Sequence, residues 1–215
     1  MAESASTRFF TPRAAKPAEP SSAERIRDAA LRCFAAKGIS ATSLKTVAEA
    51  AGTSVGLVQH YFRTKAALVE AVDDYVIGVV SGALESGMLP PAPQDALVEM
   101  GRRLTTVMAE QDDVISYIGR ALVEGESIGA EIFDGLLKVS AAQRDLLVER
   151  DQARPDLDPV WAPMNVLLLR LGPMLLRSHI ERHLPESFNS PAQLRRWDNA
   201  VTTLIRQGHM RPGAD

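Results

Sequence analysis

Residues 42–65 read TSLKTVAEAAGTSVGLVQHYFRTK, and this stretch gathers side chains suited to specific polar recognition. Ser54, Gln59 and His60 bring hydrogen-bonding groups, and Thr42, Tyr61 and Lys65 add hydroxyls and an ammonium. A glutamine amide can pair two-pronged with adenine N6 and N7, while hydroxyls and lysines hold phosphate oxygens. Val55 could touch a thymine methyl group. Gly56 falls where a helix interior is expected, a placement that costs ~1 kcal/mol relative to alanine. It makes sense if another backbone, such as a phosphate strand, must come close. Lys65 is expected in the first turn of a helix, where a cation opposes the macrodipole. That placement is more natural if an anion is held there.

Three short helices must position these groups. Leu44, Val47, Ala48 and Ala51 recur at helical spacing, with Thr42 or Ser43 as the N-cap. Gly52 follows where a left-handed residue closes a helix. Thr53 or Ser54 can cap the next helix, which runs to about Phe62. In it Leu57, Val58 and Phe62 can pack inward, leaving Ser54, Val55, Gln59 and His60 to point elsewhere. Thr64 can cap a third helix. Two short helices, a tight turn and a third helix make the outline of a helix-turn-helix.

Residues 25–72 resemble the DNA-binding domain of the tetracycline-repressor (TetR) family of bacterial transcription regulators. The resemblance rests on Ile26, Ala29, Ala30, Phe34 and Gly38, then Thr42 and the V-A-E-A-A-G run of residues 47–52. Ser54, Gly56, the H-Y-F of residues 60–62, Lys65 and Leu68 complete it. At motif level it covers under a quarter of the chain. It implies that the helix at residues 54–62 enters the major groove, with Thr42, Tyr61 and Lys65 on phosphates. Thr53, Ser54, Val55, Gly56, Gln59 and His60 would then lie at or near base edges, and Ser43 and Lys45 join the DNA-facing set. Two positions depart from the family pattern. Val55 stands where many members are polar or basic, and Gln59 where tyrosine is frequent, so an operator with A·T pairs beneath them is expected.

The charge distribution fits a DNA-binding module joined to a different one. The whole chain has 24 Lys and Arg against 27 Asp and Glu, a net charge of −3. Residues 1–70 hold 10 basic and 6 acidic residues, and the remainder holds 14 and 21. Cys33 is the single cysteine, which excludes an internal disulfide and suits a reducing cytosol. It sits on the apolar side of the first helix and reads as a structural thiol. No apolar run is long enough to span a bilayer, and the N-terminus lacks a signal-peptide pattern, so a cytoplasmic protein is expected. His179 and His183 have metal spacing on a helix but no third ligand, so they read as a solvated face and no metal is expected. No nucleophile elbow or phosphate loop appears, which argues against an enzyme and gives no reason to expect a cofactor.

The expected fold is all-α, with about nine helices in total. Residues 1–20, with Arg8, Arg13 and Lys16, read as a disordered tail. Residues 21–82 form the DNA-binding domain and the start of a connecting helix, and residues 83–215 a larger ligand-binding and dimerisation domain. Ser21 and Glu24 have capping-box spacing for the first helix. Later helices are expected at about residues 64–81, 95–109, 114–124, 128–154 and 163–184, with a last one capped by Ser190 and Pro191. A break is expected at residues 86–94, and Asp112 is a plausible cap. Met100, Leu104, Met108, Tyr117, Phe133, Trp161, Met164 and Leu168 are candidates for an apolar pocket, where Arg103, Arg120 or Arg170 could orient an acidic group. Leu171, Leu175, Leu194, Trp197, Val201, Leu204 and Ile205 form stripes on the last two long helices that suit a homodimer interface. The resemblance implies a repressor of a palindromic double-stranded DNA operator, released by a small, largely apolar effector and with no membrane partner. A helical small-molecule-binding protein, or an enzyme whose cavity is the main function, is the alternative.

Overall fold

The computed structural model describes residues 20–85 and 93–211. The expected tail and the core of the expected break at residues 86–94 fall outside them. Among the described residues there are ten α-helices and one short 3-10 turn, one helix more than expected. They are α1 (Ser22–Lys37), α2 (Leu44–Ala50), α3 (Val55–Tyr61), α4 (Lys65–Glu85) and α5 (Pro93–Glu110). Then come α6 (Asp112–Glu124), α7 (Ser127–Glu149), α8 (Trp161–Leu175), α9 (Arg177–Ile180) and α10 (Pro191–His209). None is long and apolar enough to cross a membrane.

Local chemistry sets most of the helix boundaries. Ser21 and Glu24 form the capping box of α1, each side chain meeting the other's backbone N–H, at 3.2 and 2.7 Å. Gly38 ends that helix at a φ of 84°, a conformation glycine adopts at little steric cost. Ser190 caps α10, accepting from the Gln193 N–H at 3.2 Å. Asp112 is not a cap. It lies in the first turn of α6 and accepts from Arg177 and from Asn189 Nδ2, tying α6 to the segment before α10.

Two helices end earlier than their apolar pattern implies. α7 stops at Glu149 because Asp151 turns left-handed, with a φ of 55°. The loop beyond it pairs Ala153 with Met210, so its backbone groups bond the end of the chain rather than another helical turn. The expected helix at residues 163–184 is three pieces. Pro173 lies inside α8 and lacks an N–H, which removes a rung of the ladder. The helix breaks at Leu176, and α9 and the 3-10 turn at Glu181–His183 follow.

One continuous core joins the two halves. Ile26, Phe34, Val47, Val58, Leu68 and Val72 come from α1 to α4, and Tyr117, Ile118 and Ile132 meet them from α6 and α7. Phe34 and Tyr117 stack at 6.4 Å between ring centroids. Cys33 is half-buried and packs against this core. A second core holds Met108, Ile115, Phe188 and Leu194.

Candidate nucleic-acid interface and interior cavity

The turn between α2 and α3 is built as the sequence implies. Ser43 caps α2 by accepting from the Thr46 N–H at 3.1 Å, and Ser54 caps α3 by accepting from the Leu57 N–H at 3.2 Å. Gly52 closes α2 with a φ of 65°, and the Thr53 N–H bonds the Ala48 carbonyl at 2.9 Å. Thr64 caps α4 by accepting from the Ala67 N–H at 3.1 Å. Val58 is wholly buried and anchors α3 to α1 and α2.

The opposite side of α3 is open. Ser54, Gly56, Gln59, His60 and Tyr61 are all exposed, and the His60 and Tyr61 rings meet edge to face at 5.2 Å. Lys45 projects from α2 with only a 4.0 Å approach to Glu49. Lys65 sits at the start of α4, its Nζ donating to the Ser40 carbonyl at 3.4 Å. A Cβ placed on Gly56 would meet nothing closer than Ser54 Oγ at 3.9 Å. The protein's own packing therefore does not require a glycine there.

Two expected roles need revision. Thr42 is only 2% exposed, and its hydroxyl donates to the Gly38 carbonyl at 2.9 Å, so in this structure it fastens the end of α1 and does not face outward. Its type and spacing match the motif, but the hydroxyl has an interior partner. Val55 is partly buried and packs on the domain core together with Phe62. Leu57 is partly buried, in keeping with its expected inward packing.

The second half encloses a cavity of about 120 Å³. Helices α4 to α8 all contribute to its wall, through residues such as Leu84, Leu104, Ile118, Leu136 and Leu171. Of the eight expected pocket residues, Met100 and Leu104 line it. Met108 and Tyr117 are buried in the two cores, and the Tyr117 hydroxyl donates to Asp73 Oδ1 at 2.7 Å. Phe133 and Met164 are partly buried outside the lining, and Trp161 and Leu168 face outward. The wall draws on α7 because α8 packs against it, a pairing that composition does not reveal. Of the three arginines considered, Arg103 and Arg170 reach the wall. Arg120 faces α1 instead, donating to the Ala35 and Ala36 carbonyls at 3.0 and 3.1 Å and to Glu124 at 2.6 Å.

The expected dimer stripes mostly close the single chain. Leu171, Leu194, Val201 and Ile205 are buried, and Trp197 packs edge to face on Phe188 at 5.6 Å. Leu175 and Leu204 do point outward. Beside Leu204, Trp161, Leu168 and Leu169 line an open groove between α8 and α10. Trp161 is 58% exposed, Leu168 45% and Leu204 56%, a large apolar surface for a single chain to leave uncovered. His179 is exposed on α9 and His183 in the 3-10 turn that follows, and His179 Nδ1 lies 3.0 Å from Arg182.

A buried-face, open-face α3 on a compact helical trio defines a helix-turn-helix DNA-binding domain. Residues 26–72 match the sequence model of the family described as bacterial regulatory proteins, tetR family, so this N-terminal domain is similar to the DNA-binding domains of that family. The HTH-type transcriptional regulatory protein RaaS of Mycobacterium tuberculosis (strain ATCC 25618 / H37Rv) is 26% identical over 135 residues, 63% of this chain and 61% of that protein. The match thus spans less than two thirds of the relative's length. Among solved structures, the ketosteroid transcriptional regulator KstR2 of Mycobacterium tuberculosis superposes with a TM-score of 0.68 at 15% identity, over 91% of this chain and 98% of that one. SmeT, the repressor of the Stenotrophomonas maltophilia multidrug efflux pump SmeDEF, superposes with a TM-score of 0.63 at 20% identity, over 90% and 92% of the two chains. At these identities the structural likeness is one of fold.

Proposed function

We propose that this protein is a transcriptional repressor that binds a palindromic operator as a homodimer and is released by a small, largely apolar effector. The outward face of α3 carries the proposal: exposed Ser54, Gln59, His60 and Tyr61 surround a glycine that the fold itself does not need. Ser43, Lys45, Thr53 and Lys65 extend the proposed DNA-facing surface. Val55 joins it through whatever part of its side chain the core leaves open.

The uncovered groove between α8 and α10 supports the homodimer. A two-fold pairing uses one apolar patch on both subunits and places two reading helices on two half-sites. The cavity supports the effector. At about 120 Å³ it is small beside the roughly 300–1,000 Å³ of ordinary ligand sites, so a larger guest must push helices apart. Both α4 and α6 line it and both reach the DNA-binding domain. α4 follows α3 after a three-residue turn, and α6 grips α1 through Arg120. A ligand that binds the expanded state more tightly would shift the spacing of the two reading helices.

Titrating the full chain against DNA from upstream of its own gene, at several salt concentrations, tests this reading. Affinity should fall steeply as salt rises, because phosphate contacts release counterions. Sequence-independent binding of unchanged weakness at all salt concentrations would remove it.

A further inference from the structure

Four polar side chains lie in the otherwise apolar wall of the interior cavity: Arg103, Ser140, Gln143 and Arg170. Three are already engaged by the protein. Arg103 donates to Glu99 at 2.7 Å and to the Leu84 carbonyl at 2.9 Å. Arg170 donates to Asp198 and to Thr202 Oγ1 at 3.0 Å. The Ser140 hydroxyl donates to the Pro163 carbonyl at 2.9 Å. Gln143 differs, because its Nε2 is buried with no hydrogen-bond partner among the described residues.

We infer that the cavity takes a neutral, mainly apolar molecule bearing one hydrogen-bond acceptor, such as a ketone oxygen, and that Gln143 donates to it. This rests on the effector reading above and adds the chemical class. A buried amide donor without a partner is costly to the protein, so a ligand acceptor that meets it gains more than an ordinary exposed contact would. The arginines argue against an anion. To bind one, Arg170 would have to release Asp198, leaving a poorly solvated carboxylate without its cation, and Arg103 would have to give up both Glu99 and the Leu84 carbonyl. The size is consistent with one ring or a short chain, since an apolar cavity of roughly 150 Å³ accepts benzene.

The test uses the full chain and three probes of similar shape: cyclohexanone, methylcyclohexane and cyclohexanecarboxylate. Binding is followed by two-dimensional NMR of labelled methyl groups, with Ile115, Ile118 and Leu104 as cavity reporters. Gln143→Leu should weaken cyclohexanone by about tenfold, the worth of one well-made hydrogen bond, while leaving methylcyclohexane affinity close to wild type. Gln143→Glu serves as a second variant, which should weaken cyclohexanone more than methylcyclohexane. Cyclohexanone affinity unchanged by Gln143→Leu, an equal loss for both neutral probes, or tightest binding by the carboxylate each overturns the inference while leaving an effector site in place. If no probe perturbs the cavity methyls, the effector reading itself falls and this inference with it.

Discussion

Gly56 and Gln59 show how single residues divide between folding and recognition. Gly56 weakens α3, yet a methyl group would meet no close neighbour there. Gly56→Ala should therefore stabilise the free protein by about 0.5–1 kcal/mol in thermal unfolding, and weaken operator binding. Unchanged DNA affinity would mean that no strand approaches this point. Gln59→Ala should relax an A·T preference by about 1–3 kcal/mol while leaving unfolding unchanged, as read by binding to single-base operator variants. Asp73 makes a prediction about pH. Burial pushes its carboxyl above the usual range, although the Tyr117 hydrogen bond pulls it down. The folded state therefore holds this proton more readily than the unfolded chain does. The resulting stability is complete below the ordinary value of 3.8 and is lost as pH rises through the higher folded value. Asp73→Asn keeps an acceptor for Tyr117 and removes the charge. Denaturant melts across pH should show the wild type losing stability relative to Asp73→Asn as pH climbs from about 3 to neutrality, and a rise would contradict the assignment.

Among elements, the capped ones were legible in the sequence and the interrupted ones were not. Ser21, Ser43, Ser54, Thr64 and Ser190 each announce a helix start by a side-chain hydrogen bond to its own first turn, which is local information. The break at Leu176 follows Pro173, and Arg177 beyond it is held by distant Asp112, while the segment after α7 pairs Ala153 with distant Met210. Thr42 differs for a local reason, because its spacing matches a phosphate contact while its hydroxyl meets the Gly38 carbonyl four residues back. The apolar stripes of α8 and α10 are visible in the sequence, but whether they close the chain's own core or meet a partner is not. Close helix packing was hidden as well. A Cβ on Gly129 would lie 2.6 Å from the Ala121 carbonyl oxygen and 2.8 Å from the Leu122 nitrogen, so α6 and α7 touch there through backbone. Gly129→Ala should force the two helices apart and cost about 1–3 kcal/mol in denaturant melts, despite alanine's better helix propensity. An increase in stability would show that α6 and α7 do not pack this closely.

At the scale of the whole molecule, the basic first third and acidic remainder keep DNA contact at one end. The shared core and Arg120 make α6 the physical link between that end and the cavity. The uncovered Trp161, Leu168 and Leu204 predict how the molecule pairs. Leu168→Glu combined with Leu204→Glu should give a folded monomer by sedimentation, with helicity retained and operator binding greatly weakened. A double variant that sediments like the wild type would move the interface elsewhere. The central claim is that two copies of α3 read a symmetric DNA site. Selecting bound duplexes from random sequence with the full chain tests it most directly. The account predicts an enriched inverted repeat with half-sites one helical turn or a multiple apart, and A·T pairs where Gln59 reaches the bases. Recovered DNA with no shared sequence, or a single unrepeated half-site, would contradict it.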